Sequence, residues 1–270
     1  MDIDRFWQLI EQARTAAGPQ ADEAVRDVDL ADAEPDRDFD EEQIQALIDA
    51  ARADFESDDL AEFEEDDADA GEEEDEEDDL TDPVAIALFN LLVALPAAEI
   101  ADFDNTFEDV RAKADTAEIT AAALLIEHGF LGEASFDDFR AGLVALGRRT
   151  FEAALANPDS LAEHPLVKEI AAAPDPRWLG REDVLFVASH AYAEVTGEDA
   201  VTFFDFAESL REAPPEEEEL ADEELEADWD IADEGQTRSR LPRLCDLFYE
   251  RSMRNRTRAL ERLGLSREAE

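Results

Sequence analysis

The chain has 270 residues and carries 75 acidic against 23 basic side chains, a formal net charge of -52. Repulsion on this scale opposes compact folding in dilute buffer and is relieved by salt, since the Debye length falls from about 10 Å at 0.1 M to about 3 Å at 1 M. The composition predicts an acidic surface surrounded by counter-cations and adapted to molar salt. Because phosphates would be repelled, it argues against nucleic-acid binding.

The cysteine content and the hydropathy indicate a cytoplasmic protein with no membrane contact. Cys245 is the single cysteine, so no intramolecular disulfide can form, and a small apolar filler on a helix is its simplest role. The first residues lack the cationic and apolar start of a signal peptide. The longest apolar stretch, residues 83–98, is shorter than the ~18 to 20 residues that span a bilayer.

The predicted elements begin with a helix over residues 1–18. Ile3, Phe6 and Ile10 recur at helical spacing, Asp2 is a suitable N-cap, and Gly18 followed by proline ends the pattern. An acidic insertion follows over residues 19–80.

Within this insertion, residues 40–56 are typical of a short amphipathic helix. Thirteen of the sixteen residues from Glu64 to Asp79 are acidic, and such a density of like charge predicts disorder over 57–80.

Residues 81–211 are predicted to form a helical core. Apolar residues at helical spacing indicate helices over 84–95, 96–110, 119–126, 135–155, 161–170, 181–196 and 200–210, the last of which could contain a short strand. The 135–155 segment is the most strongly patterned and is expected to be one continuous helix. The expected caps are Asp82, Ser135, Asp159 or Ser160, and Gly197, with a cationic His128 at one helix C-terminus.

The last part of the chain is divided into an acidic linker, residues 212–237, and an arginine-rich C-terminal helix, residues 238–270. Arg251, Arg254, Arg258 and Arg262 step by three, four and four, which places a cationic stripe along one side of that helix. The whole pattern predicts an all-α protein: a single orthogonal helical domain with a disordered acidic insertion and a C-terminal helix.

Several strings in the chain resemble one known family. They are FWQLIEQAR at 6–14, LPAAEIADF at 95–103, FDDFR at 136–140, the stretch from 147 to 161, EDVL at 182–185 with AYAEVTG at 191–197, and LPRL at 241–244. In this order they resemble the bacterial domain-of-unknown-function family 4240, over residues 1–18 and about 83–250. The resemblance implies a mainly helical single domain with no established activity, so it supplies no site residues or cofactors.

The chain departs from that family in three places. Residues 19–80 are inserted, the tail continues past Glu250, and Leu124–Gly132 stands where the family is expected to have a glycine- and cysteine-containing turn. A function carried by that turn would be altered here.

The search for chemistry finds no catalytic, metal or cofactor motif. His128, His164 and His190 are scattered, and no nucleophile elbow or phosphate-binding glycine loop is present. An EF-hand centred on Gly71 would lack two of its ligands. Carboxylate pairs are too frequent to be informative, so the sequence favours a protein that is not an enzyme.

The functional hypothesis is therefore a non-enzymatic interaction or accessory protein with unidentified protein partners. The candidate contact residues are Glu72, Glu73, Glu74 and Asp75 in the acidic run and the four arginines of the C-terminal stripe, which could pair with each other. Two alternatives stay open: an acidic nucleic-acid mimic that binds a basic protein, and an enzyme that uses carboxylates of a surface cleft.

Overall fold

The computed structural model describes residues 1–23, 80–129, 131–174, 176–211 and 233–262. These residues form helices without any β-strand, which confirms the all-α prediction. The predicted helix at 40–56, the disorder predicted at 57–80 and nearly all of the acidic linker lie outside the described residues.

Eleven α-helices and two 3-10 turns make up the described part of the chain. The helices are α1 (Ile3–Ala17), α2 (Pro83–Leu92), α3 (Ala97–Ala112), α4 (Ala117–Ile126), α5 (Glu133–Ala145), α6 (Arg148–Ala156), α7 (Pro165–Ala172), α8 (Glu182–Thr196), α9 (Ala200–Leu210), α10 (Glu234–Arg240) and α11 (Pro242–Arg262). The 3-10 turns are Gly18–Asp22 and Pro158–Glu163. No described helix is long and apolar enough to cross a membrane.

The helices share one hydrophobic core. α2 packs against α1 and α8, α8 also packs against α3 and α5, and α11 packs against α4. Large side chains from distant parts of the chain meet in this core with no exposed surface, among them Phe6, Phe139 and Phe203. The core therefore joins the first helix to residues more than a hundred positions later.

The predicted continuous helix at 135–155 is wrong, because the chain turns at Gly147 between α5 and α6. Gly147 has a φ of 88°, which glycine adopts without strain. Two side chains of α1 stabilise the turn: Arg14 donates to the carbonyl of Ala145 at 2.5 Å, and Glu11 accepts from the N–H of Arg148 at 3.1 Å. A cation thus ends one helix and an anion begins the next, as the helix dipoles favour.

A second tie joins the start of α2 to the start of α8. Arg181 is buried, and one of its terminal nitrogens pairs with the Asp82 carboxylate at 2.5 Å. Its other terminal nitrogen donates to the carbonyls of Ala21 and Glu23. Asp183 accepts from the backbone N–H of Asp82 at 2.6 Å. Asp82 also caps α2, which confirms that prediction.

Asp159 has a different role from the one predicted. Neither it nor Ser160 starts a helix here, because Asn157 caps the 3-10 turn and His164 caps α7. The buried Asp159 carboxylate instead accepts from the N–H groups of Arg243 and Leu244, at 2.9 and 3.0 Å. It therefore caps the N-terminus of α11 from 84 residues away.

Other local predictions fare unevenly. Asp2 caps α1, and Gly197 ends α8 in the left-handed conformation, as expected. Ser135 does not begin α5: the helix starts after Gly132, and the Ser135 hydroxyl bonds back to Gly132 from inside the first turn. Residues 200–210 are helical throughout.

Candidate functional site: a belt of carboxylates between α3 and α5

The predicted contact residues are only partly described. Arg251 donates to the carbonyl of Ala173 at the end of α7, at 3.0 Å, and Arg254 is exposed. Arg258 and Arg262 belong to α11, but their side chains lie outside the described residues, as do residues 72–75. The pairing of the arginine stripe with the acidic run stays a prediction.

The turn that differs from the family pattern is buried. His128 has a φ of 57° and only 1% exposure, and its Nε2 lies 2.9 Å from the carbonyl of Arg177. Burial lowers the pKa of His128, so the predicted cationic cap is wrong and the ring is neutral at pH 7. Gly129 faces the backbone of Ser252 so closely that an added Cβ would lie 2.2 Å from its oxygen. α11 therefore covers this turn.

Glu127 is the most deeply buried acid at the same turn. Its Oε1 accepts from the N–H groups of Leu179 and Gly180, at 3.0 and 3.2 Å. Burial raises the pKa of Glu127 to about 8, although these hydrogen bonds act in the opposite direction. Through these two hydrogen bonds the Glu127 carboxyl connects the turn to the loop before α8, so its role is structural.

A group of charged side chains lies along α3 and α5 and at the start of α8. We call this set the carboxylate belt: Asp104, Glu108, Asp109, Asp115, Asp137, Asp138 and Glu182. Each of them interacts electrostatically with another belt acid or with one of the three arginines Arg111, Arg140 and Arg211. Seven carboxylates face three guanidinium groups, so the fully ionised belt is negative.

Two of these arginines hold the centre of the belt together. Arg111 pairs with Glu108 at 2.6 Å and with Asp137 at 2.8 Å, which joins α3 to α5. Arg140 contacts the same Asp137 carboxylate, and its guanidinium lies 4.7 Å from the centre of the Phe136 ring. The FDDFR string thus supplies an ion-pair network as well as the fully buried Phe139.

Asp104 and Asp138 are the under-compensated members of the belt. Burial, with the repulsion of Glu108 second, raises the pKa of Asp104 to about 7. Burial, with the repulsion of Glu182 and Asp137, raises the pKa of Asp138 to about 6. Neither carboxylate accepts a hydrogen bond from a described residue. Such groups gain from an added positive charge, because it would favour their ionised form.

A cleft of about 1000 Å³ lies beside the belt, between α3 and the end of α9. Asp102, Asn105, Asp109, Lys113 and Arg211 contribute to its walls. Asp104 and Asp138 are not among its lining residues, so the cleft and the two carboxyls of raised pKa do not coincide. The described residues contain no cluster of three or more potential metal ligands.

Cys245, His164 and His190 are not part of the carboxylate belt. Cys245 is buried, as predicted, and burial raises the pKa of its thiol to about 11, so it is protonated at pH 7. His164 caps α7 through a hydrogen bond from the N–H of Leu166 to its Nδ1. His190 is half-buried on α8.

Sequence reasoning missed the belt because acids are abundant everywhere in the chain. One signal was available: Asp104 stands four residues after Ile100 and three before Phe107, both buried, so it lies on the edge of an apolar stripe. Arg111 continues the same edge one heptad later. A charged pair at the edge of a buried face indicates a half-buried site better than an acid-rich composition does.

Comparison with known proteins gives one match. A family described as protein of unknown function, DUF4240, matches residues 46–194, which is more than half of the chain. The matched range contains every residue of the carboxylate belt, and it begins within the segment predicted to be an insertion. No curated protein and no solved structure matches the chain.

Proposed function

The chain belongs to the DUF4240 family of unknown function, and we propose that it is a non-enzymatic accessory protein of the cytoplasm that binds a basic protein partner in molar salt. The carboxylate belt carries this proposal. Its seven acids outnumber its three arginines, and two of these acids, Asp104 and Asp138, form no ion pair with a described residue, although Arg111 lowers the pKa of both.

The energetic reasoning concerns desolvation. Placing two carboxyl groups in a half-buried position without a paired cation costs free energy, and an arriving arginine or lysine recovers part of it. Arg111 and Arg140 hold the neighbouring carboxylates in place, so the site is arranged before the partner arrives. A short arginine-rich peptide is the simplest probe of such a site.

Proton release distinguishes binding at the carboxylate belt from binding at ordinary surface acids. At about pH 6.5, pKa values of about 7 and about 6 mean that Asp104 and Asp138 together hold about one proton. A cation bound at the belt would release it, whereas a cation on ordinary surface acids would release almost none. Calorimetry in two buffers of different ionisation enthalpy, both in molar potassium chloride, measures this proton.

The matched variants are two double substitutions. Asp104→Asn with Asp138→Asn should weaken peptide binding about tenfold and abolish the proton release. Asp102→Asn with Glu194→Gln makes the same kind of substitution, an acid to its amide, at two exposed positions and should behave like the wild type. Binding without proton release, or equal release by both double variants, would overturn the proposal.

The salt-adapted surface is a separate part of the proposal, supported by the net charge of -52. The helical circular dichroism signal should develop only as potassium chloride approaches molar concentrations, because screening relieves the self-repulsion. A full helical signal in dilute buffer would contradict it.

The two alternatives have weaker support. Carboxyls that titrate near neutral pH are suited to acid–base catalysis, but the two belt acids of this kind, Asp104 and Asp138, do not line the neighbouring cleft. The acidic segments of the nucleic-acid mimic hypothesis lie outside the described residues. Both stay hypotheses.

A further inference from the structure

Lys113 is an unusual cation in this chain. It is one of two lysines, and the other, Lys168, pairs with Glu163 at 3.5 Å. Lys113 is exposed directly after the end of α3, and its ammonium group forms no ion pair or hydrogen bond with a described residue. A positive charge that stays unpaired in a chain with 75 acidic side chains is available to a ligand.

Lys113 lines the cleft of about 1000 Å³ between α3 and the end of α9. One wall of the cleft is a single face of α3, because Asn105, Asp109 and Lys113 stand four residues apart. The Nδ2 of Asn105 donates to the carbonyl of Ala207 at 2.9 Å, which holds α9 beside this face. The walls are therefore in place before a ligand enters, as in most small-molecule sites.

Apolar side chains contribute to the same cleft. Ile3 of α1 is 38% exposed and Leu210 at the end of α9 is 41% exposed, and both line the cleft together with the buried Val110. Their apolar atoms would gain free energy if a ligand removed them from water. The cleft thus offers a ligand an apolar surface as well as a cation.

The charges among the described lining residues are unevenly distributed. Arg211 pairs with Asp109 at 2.8 Å, so these two compensate each other and Lys113 is left as an uncompensated charge at this end of the cleft. Asp102, the other acid among the described lining residues, lies three helical turns before Lys113, about 16 Å along α3. The Lys113 end of the cleft is therefore suited to a small anion, although the whole chain is strongly negative.

We propose that this cleft binds a small organic anion with an apolar body. The carboxylate or phosphate group of the ligand would pair with the ammonium of Lys113, and the apolar part would cover Ile3 and Leu210. A neutral ligand would leave the lysine unpaired, and a cation would be repelled by it. Asp104 and Asp138 do not line the cleft, so this site can be tested separately from the one proposed for a basic partner.

The low lysine content gives a direct test. Reductive methylation with carbon-13 formaldehyde labels both lysine side chains and keeps their charge. Octanoate titrated in molar potassium chloride should shift the NMR signal of Lys113 saturably, with a dissociation constant on the order of millimolar, while the signal of Lys168 stays in place. Lys113→Arg assigns the signal by removing it. The absence of a saturable shift, or equal shifts of both signals, would overturn the proposal.

A ligand series tests the two parts of the ligand separately. Octanoate and octyl phosphate should both bind, and the tighter of the two identifies the preferred anionic group. Octanol and octylammonium should bind at least about fivefold more weakly than octanoate. Hexanoate should also bind about 4- to 15-fold more weakly, because each methylene in the cleft contributes about two- to fourfold. If octanol or octylammonium bound as tightly as octanoate, the assignment of an anion would be wrong.

Two matched pairs of variants test the residues, with ligand-observed NMR on the unlabelled protein as the measurement. Lys113→Met should weaken octanoate at least about fivefold without weakening octanol, whereas Lys168→Met should weaken neither. Leu210→Ser should weaken octanoate and octanol alike, whereas Val195→Ser, at a residue that is also 41% exposed, should weaken neither. Circular dichroism should show the same helical signal for all four variants. Equal losses of octanoate binding within either pair would overturn the proposal.

Discussion

Replacing Glu127 by glutamine isolates the energetic effect of one buried acid. The glutamine oxygen can still accept from the N–H groups of Leu179 and Gly180, but the side chain can no longer ionise. Burial raises the pKa of Glu127 from 4.5 to about 8, so the folded state holds this proton more tightly than the unfolded state. The stability it confers is complete below about pH 4.5 and is lost as the pH rises through about 8.

The magnitude follows from the size of the shift. One pKa unit corresponds to about 1.4 kcal/mol, so the wild type should lose about 3 to 4 kcal/mol relative to Glu127→Gln between about pH 5 and pH 8. Glu127 is 3% exposed, and solvent screening reduces this value little. The variant should therefore be clearly more stable than the wild type at pH 8 and close to it at pH 5.

Urea unfolding at the two pH values, in the same molar salt, measures the effect. Glu194→Gln is the matched control, since it makes the same chemical change at an exposed position of α8. Its effect on the free energy of unfolding should be small at both pH values. If Glu127→Gln gave the same difference from the wild type at pH 5 and pH 8, the carboxyl would not be the buried, protonated group described above.

Three further substitutions test the ties between helices. Gly147→Ala should lower the free energy of unfolding by at least about 2 kcal/mol and Gly197→Ala by about 1 kcal/mol, because both positions have a positive φ but only at Gly147 would a Cβ displace the Glu11 carboxylate that caps α6. Equal losses in urea unfolding would contradict this. Asp159→Ala should lower the free energy of unfolding by about 2 to 4 kcal/mol, because it leaves the first N–H groups of α11 without an acceptor. Ser160 is its half-buried neighbour, and Ser160→Ala should lower the same free energy by less than about 1 kcal/mol. Arg181→Met should cost about 3 to 5 kcal/mol, because it leaves a buried carboxylate without a counter-charge, and a melting temperature within a few degrees of the wild type would refute the role of that pair.

Helix positions could be predicted from the sequence wherever the signal was local. The spacing of Phe6 and Ile10, and caps such as Asp2 and Gly197, depend only on neighbours along the chain. The break at Gly147 could not be predicted, because the side chains that stabilise it come from α1. Asp159 was misassigned for the same reason: the first N–H group that it accepts from, on Arg243 of α11, lies 84 residues later.

The candidate site was less predictable than the fold. Asp104 and Asp138 differ from other acids only in how much water and positive charge they have around them, and both depend on the packing of α3 against α5. The uncharged stretch at 83–98 is visible in the sequence. That Ile86 in this stretch faces solvent while Val84 and Leu88 are buried becomes clear only when α1 and α8 are in place.

The corner between α5 and α6 also constrains the order in which the chain can fold. Its stabilising groups on α1 lie 131 and 137 residues before their partners, so the corner needs the closure of a long loop. Contacts of this length slow folding. At a synthesis rate of about 5–20 residues per second, α5 and α6 leave the ribosome on the order of ten seconds after α1. α1 can pack against α2 earlier, whereas its hydrogen bonds to the corner can form only after α5 and α6 have been synthesised.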